Sequence, residues 1–153
     1  MDLKKVEKLG KLLLKKYNLL DWNFFLDNAK VRFGLCNYTK KTISISKYLA
    51  KLNQEKEVKD TILHEIAHAL VGRENNHNKI WKKKAQQIGC SATRCYQAED
   101  IITPPQKYTA YCLHCKFTFQ AQKKRKIACG KCCRQYNQGK YCSDYDLIFR
   151  INS

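Results

Sequence analysis

The stretch Thr61-Ile62-Leu63-His64-Glu65-Ile66-Ala67-His68-Ala69-Leu70 constrains this chain more than any other. Its His64-Glu65-x-x-His68 spacing puts two imidazoles at i and i+4, on one face of a helix, where both can grip one Zn²⁺. Glu65 sits beside them, placed to take a proton from a water that the ion activates. At about 100° per residue, Thr61, His64, Glu65 and His68 fall in one sector roughly 100° wide. Ile62, Leu63, Ile66, Ala67, Ala69, Leu70 and Val71 fill the rest. A helix that is apolar nearly all round is buried. Imidazoles and a carboxylate in its one polar sector are costly there without a partner, and a metal ion is one. The competing reading is a core helix with hydrogen-bonded histidines.

A catalytic zinc site needs a third protein ligand and one open position. Gly72 should stop the helix, and Arg73 to Asn76 read as a polar turn. His77 then opens a second helical pattern, in which His77, Trp81, Ala85 and Ile88 share a face. His77 therefore points inward and is the expected third ligand. Glu74, in the turn, is its rival and is expected to be solvated. The metzincin arrangement does not fit, because Gly72 and His77 come too late and Met1 is the single methionine, leaving no Met-turn.

A second constellation lies near the C-terminus. Cys112-Leu113-His114-Cys115 and Cys129-Gly130-Lys131-Cys132 form two C-x-x-C pairs. Each pair is read as a tight knuckle, and two knuckles close a tetrahedral four-cysteine zinc site. Such a site has no open position, so its ion is structural and contributes folding energy to a segment too small to bury a core. Cys133 and Cys142 are spare thiols that could substitute, and His114 is expected to be exposed. An iron site built on the same four thiolates is the rival metal reading. Tyr108 and Tyr111 precede the first pair, and Lys123, Lys124, Arg125 and Lys126 lie between the pairs. Basic groups for phosphates and aromatic faces for unstacked bases are the ingredients of single-strand binding. Taken alone, the same residues also read as ribbon packing and solvated lysines.

In chain order, Met1 to Leu20 reads as an amphipathic packing helix, with Val6, Leu9, Leu13 and Leu20 on one side. Trp22 to Leu26, Lys30 to Cys36 and Thr42 to Ser46 alternate as strands, giving two or three short antiparallel strands before the zinc helix. A short helix over Lys47 to Leu52 should lead into the next, which begins near Gln54 to Val58. Gly89 should end the second helix, and Cys90 and Cys95 are read as ordinary thiols. Both prolines of the chain, Pro104 and Pro105, mark the boundary between two domains, 1–100 and 101–153.

A hydrophobic content of 44% allows a real core, and no run approaches the ~18 apolar residues of a membrane span. The N-terminus lacks a secretory h-region, so an intracellular setting is expected, cytoplasmic or nuclear or nucleoid-associated. Nine cysteines there read as metal ligands and free thiols rather than disulfides. Of the net charge of +17, +6 falls in residues 1–75 and +11 in residues 76–153. A basic excess of this kind favours polyanions, or simply solubilises the chain.

His64-Glu65-x-x-His68, His77 with Trp81 four residues on, and the C-terminal cysteine pairs together resemble the SprT-like (Spartan-type) zinc metalloproteases. The resemblance covers most of the chain. It implies an α+β fold: a zincin-like metalloprotease domain with helices and a small antiparallel sheet, followed by a four-cysteine zinc ribbon. It implies two Zn²⁺ ions, one catalytic on His64, His68 and His77, and one structural on Cys112, Cys115, Cys129 and Cys132. Glu65 would be the general base. It also implies cleavage of proteins crosslinked to or associated with DNA, with single-stranded DNA contacted through Tyr108, Tyr111, Lys123, Lys124, Arg125 and Lys126. The alternatives are a non-enzymatic nucleic-acid-binding zinc protein, or a small metallopeptidase with no DNA role.

Overall fold

The computed structural model describes residues 1–92 and 101–152. Cys95 lies outside them. The chain divides into two compact units, Met1–Pro104 and Pro105–Ser153, each built from helices and a small sheet. The fold class is α+β. Among the described residues no helix is long and apolar enough to cross a membrane.

In the first unit, α1 (Leu3–Lys16) is capped by Asp2, whose side chain accepts from the Lys5 N–H at 3.0 Å. It buries Val6, Gly10, Leu13 and Leu14. Gly10 is there because a Cβ would fall 2.5 Å from the Phe24 ring. The helix ends at Lys16, so Leu20 lies beyond it and is 72% exposed, contrary to the periodic pattern that included it.

The strands are β1 (Asn23–Asp27), β2 (Gly34–Asn37) and β3 (Thr42–Ser46), in the order β1-β3-β2. The expected all-antiparallel sheet is corrected here. β2 and β3 form an antiparallel hairpin, whereas β1 pairs with β3 in parallel. The chain leaving β1 crosses the end of β3, where Ser46 Oγ donates to the Ala29 carbonyl at 2.6 Å, before β2 forms the far edge. β3 can be central because both its faces are buried: Ile43 and Ile45 on one, Ser44 and Ser46 on the other. The buried Ser44 hydroxyl donates to Asp27 at 2.7 Å, which satisfies it. The strand read over Lys30 to Cys36 is shorter than its pattern. Phe33 is buried, but Val31 is 72% exposed and outside the sheet.

β3 runs directly into α2 (Lys47–Leu52), with Ser46 as the cap, and then into α3 (Glu55–Val71). α3 buries Val58, Thr61, Ile62, Leu63, Glu65, Ile66, Ala67 and His68, so it is the spine of this unit. Gly72, at φ +85°, ends it, and the Gly72 N–H donates to the His68 carbonyl at 3.1 Å. A 3-10 turn, Arg73–Asn75, leads to α4 (Lys79–Gln87). α4 closes on Gly89 (φ +86°): the Cys90 N–H reaches the Ala85 carbonyl and the Gly89 N–H that of Gln86, as in a Schellman cap.

The second unit holds β4 (Tyr108–Tyr111), β5 (Thr118–Ala121), α5 (Gly130–Tyr136) and β6 (Ile148–Ile151). Its sheet is antiparallel, in the order β5-β4-β6. Its buried cluster is Cys112, Cys129 and Cys132, with Cys115, Tyr145 and Leu147 against them. A core made of thiols is too small to hold three strands and a helix by apolar burial alone.

Candidate functional site

α3 turns His64, Glu65 and His68 to one side, as their spacing requires. His77 reaches them from the turn after Gly72. The reading that His77 opens the second helix is corrected. Asn78 is the N-cap, accepting from the Ile80 and Trp81 N–H groups at 2.9 and 3.0 Å, and α4 starts at Lys79. His77 stands just before the cap, at φ +53°. That left-handed conformation costs a non-glycine residue about 1–2 kcal/mol, and here it aims the imidazole back at α3.

The three Nε2 atoms form a near-equilateral triangle: His64–His68 3.2 Å, His68–His77 3.1 Å and His64–His77 3.0 Å. An imidazole nitrogen offers one proton or one lone pair, so three of them at mutual contact cannot all hydrogen-bond to each other. One ion about 2.0–2.1 Å from each nitrogen fits this spacing. His68 is pushed down to about 4 by its burial and by the neighbouring His64 and His77 rings, so at neutral pH its lone pair is free for a metal. Trp81, fully buried on α4, forms the floor. Its ring lies 4.6 Å from the His64 and His77 centroids and stacks on His68 at 5.1 Å and 28°.

Glu65 is buried beside the triad. Burial raises its carboxyl to about 7, against the opposing pull of Arg32 and of a hydrogen bond from the Cys36 backbone N–H. β2 comes so close that a Cβ at Gly34 would lie 2.5 Å from Glu65 Oε1. The triad and Glu65 line an open cleft whose other wall is Gly34, Leu35, Cys36 and Tyr38, with Arg73 and Asn76 at the turn. Glu74 is exposed and folds over Gly72, where a Cβ would meet its Oε1 at 2.5 Å. It is not in the histidine cluster.

In the second unit, Cys112, Cys115, Cys129 and Cys132 bring their sulfurs within 4.8 Å of one another, with Cys112–Cys132 at 3.8 Å and Cys115–Cys129 at 3.6 Å. Four sulfurs about 2.3 Å from one tetrahedral ion are ~3.8 Å apart. Burial and the hydrogen-bonding thiols of Cys115, Cys112 and Cys129 push Cys132 up to about 12, so Cys132 holds its proton until a cation takes its place. The first pair is a knuckle closed by Lys116 at φ +60°. The second is not the knuckle that was expected: Cys129 caps α5 and Cys132 lies in its first turn. Cys133 and Cys142 are outside the cluster. His114 is exposed, with its ring against Tyr136 and Tyr145.

The expected nucleic-acid residues do not form one patch. Lys123, Lys124, Arg125 and Lys126 are all exposed after β5. Lys124 and Lys107 place their ammonium groups 5.4 and 5.6 Å from the Tyr108 ring. Tyr111, three residues along β4, falls on the opposite sheet face. Its ring and hydroxyl are taken up by Arg150, at 4.7 and 3.2 Å. Sequence reasoning missed Gly34, Cys36 and Tyr38 as cleft residues. Alternation located the strand of Gly34 and Cys36, with Tyr38 in the turn after it, but carries no signal of which helix that strand crosses.

A buried helix carrying His-Glu-x-x-His, closed by a third histidine over an open cleft, is the architecture of a zinc-peptidase-like protein. Residues 6–100 match the SprT-like family model, and the chain belongs to that family. No curated protein matches the chain. A solved structure similar to it is that of the metallopeptidase zymogen of Methanocaldococcus jannaschii jannalysin, at 17% identity and a TM-score of 0.48, over 62% of this chain and 85% of that one. Family membership and the potential metal-binding histidine and cysteine groups support a zinc metalloprotease.

Proposed function

We propose that the chain is a zinc-dependent protease that hydrolyses peptide bonds of proteins associated with or crosslinked to DNA, and that its basic C-terminal unit holds the DNA. The observation that carries the protease reading is the triangle of Nε2 atoms beside buried Glu65 in an open cleft. His64, His68 and His77 would hold the catalytic Zn²⁺, and Cys112, Cys115, Cys129 and Cys132 the structural one. When bound, the catalytic ion supplies Lewis acidity, acidifying water and polarising a carbonyl. Glu65 takes the proton of the attacking water and later gives it to the leaving amine. A carboxyl raised towards neutrality suits both transfers. Trp81 and the packing of α3 keep the imidazoles fixed, so the geometry is preorganised. β2 is an edge strand bordering the cleft, and an extended substrate can add to its open side through backbone hydrogen bonds.

The DNA reading rests on the net charge, the exposed Lys123–Lys126 run and the lysine-flanked Tyr108 ring. It would place the protein in an intracellular, nucleoid or nuclear setting. Tethering on DNA raises the effective concentration of substrate, so peptide specificity can be weak. The experiment measures cleavage of a DNA-bound protein with and without single-stranded DNA, beside Glu65→Gln. That variant keeps its shape and loses its basicity, so both zinc ions should stay while cleavage falls by about 10²-fold or more. Undiminished cleavage by Glu65→Gln would sink the assigned chemistry.

Neutralising Lys123, Lys124, Arg125 and Lys126 together should act the other way. The catalytic zinc and DNA-independent cleavage should persist. Affinity for single-stranded DNA should drop, and the salt slope of binding should become shallower by roughly 0.7 per lost phosphate contact. An unchanged slope in fluorescence-anisotropy titrations would remove this run from the DNA surface.

A further inference from the structure

We propose that the Tyr38 hydroxyl donates the hydrogen bond that stabilises the tetrahedral oxyanion of peptide hydrolysis, a role that rests on the protease reading above. In that reaction the water oxygen bonds to the carbonyl carbon, and the carbonyl π pair moves onto oxygen as the oxyanion. Glu65 holds the water's proton. The carbon–nitrogen bond then breaks, and the amine leaves with the proton from Glu65. Charge develops on one oxygen, and a fixed donor aimed there lowers the barrier. Tyr38 keeps its own proton throughout.

The cleft offers three neutral or cationic donors not already assigned: Tyr38, Arg73 and Asn76. Arg73 and Asn76 lie on and beside the 3-10 turn, where Arg73 is exposed, and long exposed side chains must be ordered before they can act. Tyr38 is half-buried, and its ring meets Trp22 edge-on, at 6.3 Å and 84°. Gly34 and Cys36 alternate onto the same side of β2, and Tyr38 stands in the turn that follows it. Gly34 packs on Glu65, and the Cys36 N–H binds the Glu65 carboxylate. Tyr38 stands two residues along the chain from that contact and lines the same cleft. Base and donor thus line one cleft, Glu65 packed against β2 and Tyr38 at the turn that follows it.

The Cys36 thiol lies close to the Tyr38 hydroxyl. Sulfur is a weak acceptor. Exchanging it for a full oxyanion is a gain made only in the transition state, which is the kind of interaction that raises kcat rather than lowering KM. Burial, with Cys36 and then Glu65 and Glu74 nearby, pushes the phenol up to about 12, so it remains a donor across the working pH range.

The test uses the full-length, zinc-loaded protein and Tyr38→Phe, which keeps the ring against Trp22 and removes only the hydroxyl. Cleavage of a fluorogenic peptide should lose about 10²–10³-fold in kcat, as when a single oxyanion donor is removed, with KM almost unchanged. Zinc content and Tm should match wild type. A phosphonate peptide, which mimics the tetrahedral state, should bind more weakly by a similar factor, while the product peptide should bind as before. Wild-type kcat in Tyr38→Phe overturns the proposal, as does a loss of kcat that parallels a loss of zinc or Tm, or a loss confined to Arg73→Gln while Tyr38→Phe stays active. No cleavage by wild type, or equal cleavage by Glu65→Gln, overturns the protease reading and the proposal with it.

Discussion

Replacing His77 by alanine should empty the histidine site and abolish proteolysis, whereas Glu74→Ala should leave both nearly intact. The three Nε2 atoms lie within 3.0–3.2 Å of one another, so each contributes one corner of the site. Removing a corner leaves two imidazoles four residues apart on α3, one ligand short of the three that a catalytic zinc site needs. Glu74 cannot take the place of His77 as the chain stands, because its carboxylate lies over Gly72. The backbone at residue 77 is left-handed, which alanine tolerates no better than histidine. His77→Asn is therefore the useful companion, since asparagine adopts this conformation more readily. Both variants should lose zinc, and the asparagine variant should do so without backbone strain. Zinc content after gel filtration is the direct measurement. A second is the rise in Tm on adding zinc: a ligand at 100 times its Kd stabilises the folded state by about 2.7 kcal/mol, and both variants should forfeit that rise. If Glu74→Ala loses the metal instead, the site is histidine-histidine-glutamate.

How far the sequence could be read depends on the range of the interactions involved. α3 was legible because a 3.6-residue period, a stop glycine and one polar sector are all local signals. The same holds for α2 and for the end of α4 at Gly89. His77 was legible as an inward residue through its spacing to Trp81 and Ala85, but not as a residue outside the helix. Asn78 captures two N–H groups and starts the helix two residues later, and that competition between cap and pattern is decided by geometry. Trp81 read as a core residue; its place beneath all three imidazoles depends on how α4 packs on α3.

The sheet was legible as strands but not as a topology. Period-2 alternation marks which residues point to the same side and says nothing about neighbours. Whether β1 lies parallel to β3 is settled by a crossover of a few residues and by contacts such as Ser44 with Asp27. The cleft wall followed the same rule. Gly34 is required by the approach of Glu65, a residue 31 positions on. The ribbon gave up its ligands through spacing alone, yet the helical setting of Cys129 and Cys132 was hidden, because C-x-x-C fits a knuckle and a helix start equally well.

Cys132→Ser should cost the C-terminal unit its fold, the largest effect expected in this chain. Apart from the cluster of Cys112, Cys129 and Cys132, with Cys115, Tyr145 and Leu147 packed on it, this unit has little interior. A structural zinc contributes about 10–16 kcal/mol of apparent binding free energy in small metal-dependent domains, and that is folding free energy when the unbound chain has no core of its own. Without the metal, the four thiols would also be left as weakly bonded groups in a dry site. The wild-type chain should therefore carry two zinc ions. A mild chelator should take the one in the open cleft first, and the enclosed one should leave only as the unit unfolds. Acidification should release the enclosed ion as well, since protons compete with it for the thiolates, Cys132 being pushed up by burial. In Cys132→Ser, amide hydrogens of β4, β5 and β6 should exchange freely, while those of α3 stay protected. Cys142→Ser, which lies outside the cluster, should keep both zinc ions and all of that protection. Two zinc ions and slow exchange in Cys132→Ser would mean that another thiol, most simply the adjacent buried Cys133, had taken the vacant corner; Cys132→Ser combined with Cys133→Ser would then have to unfold the unit for a four-thiolate centre to stand.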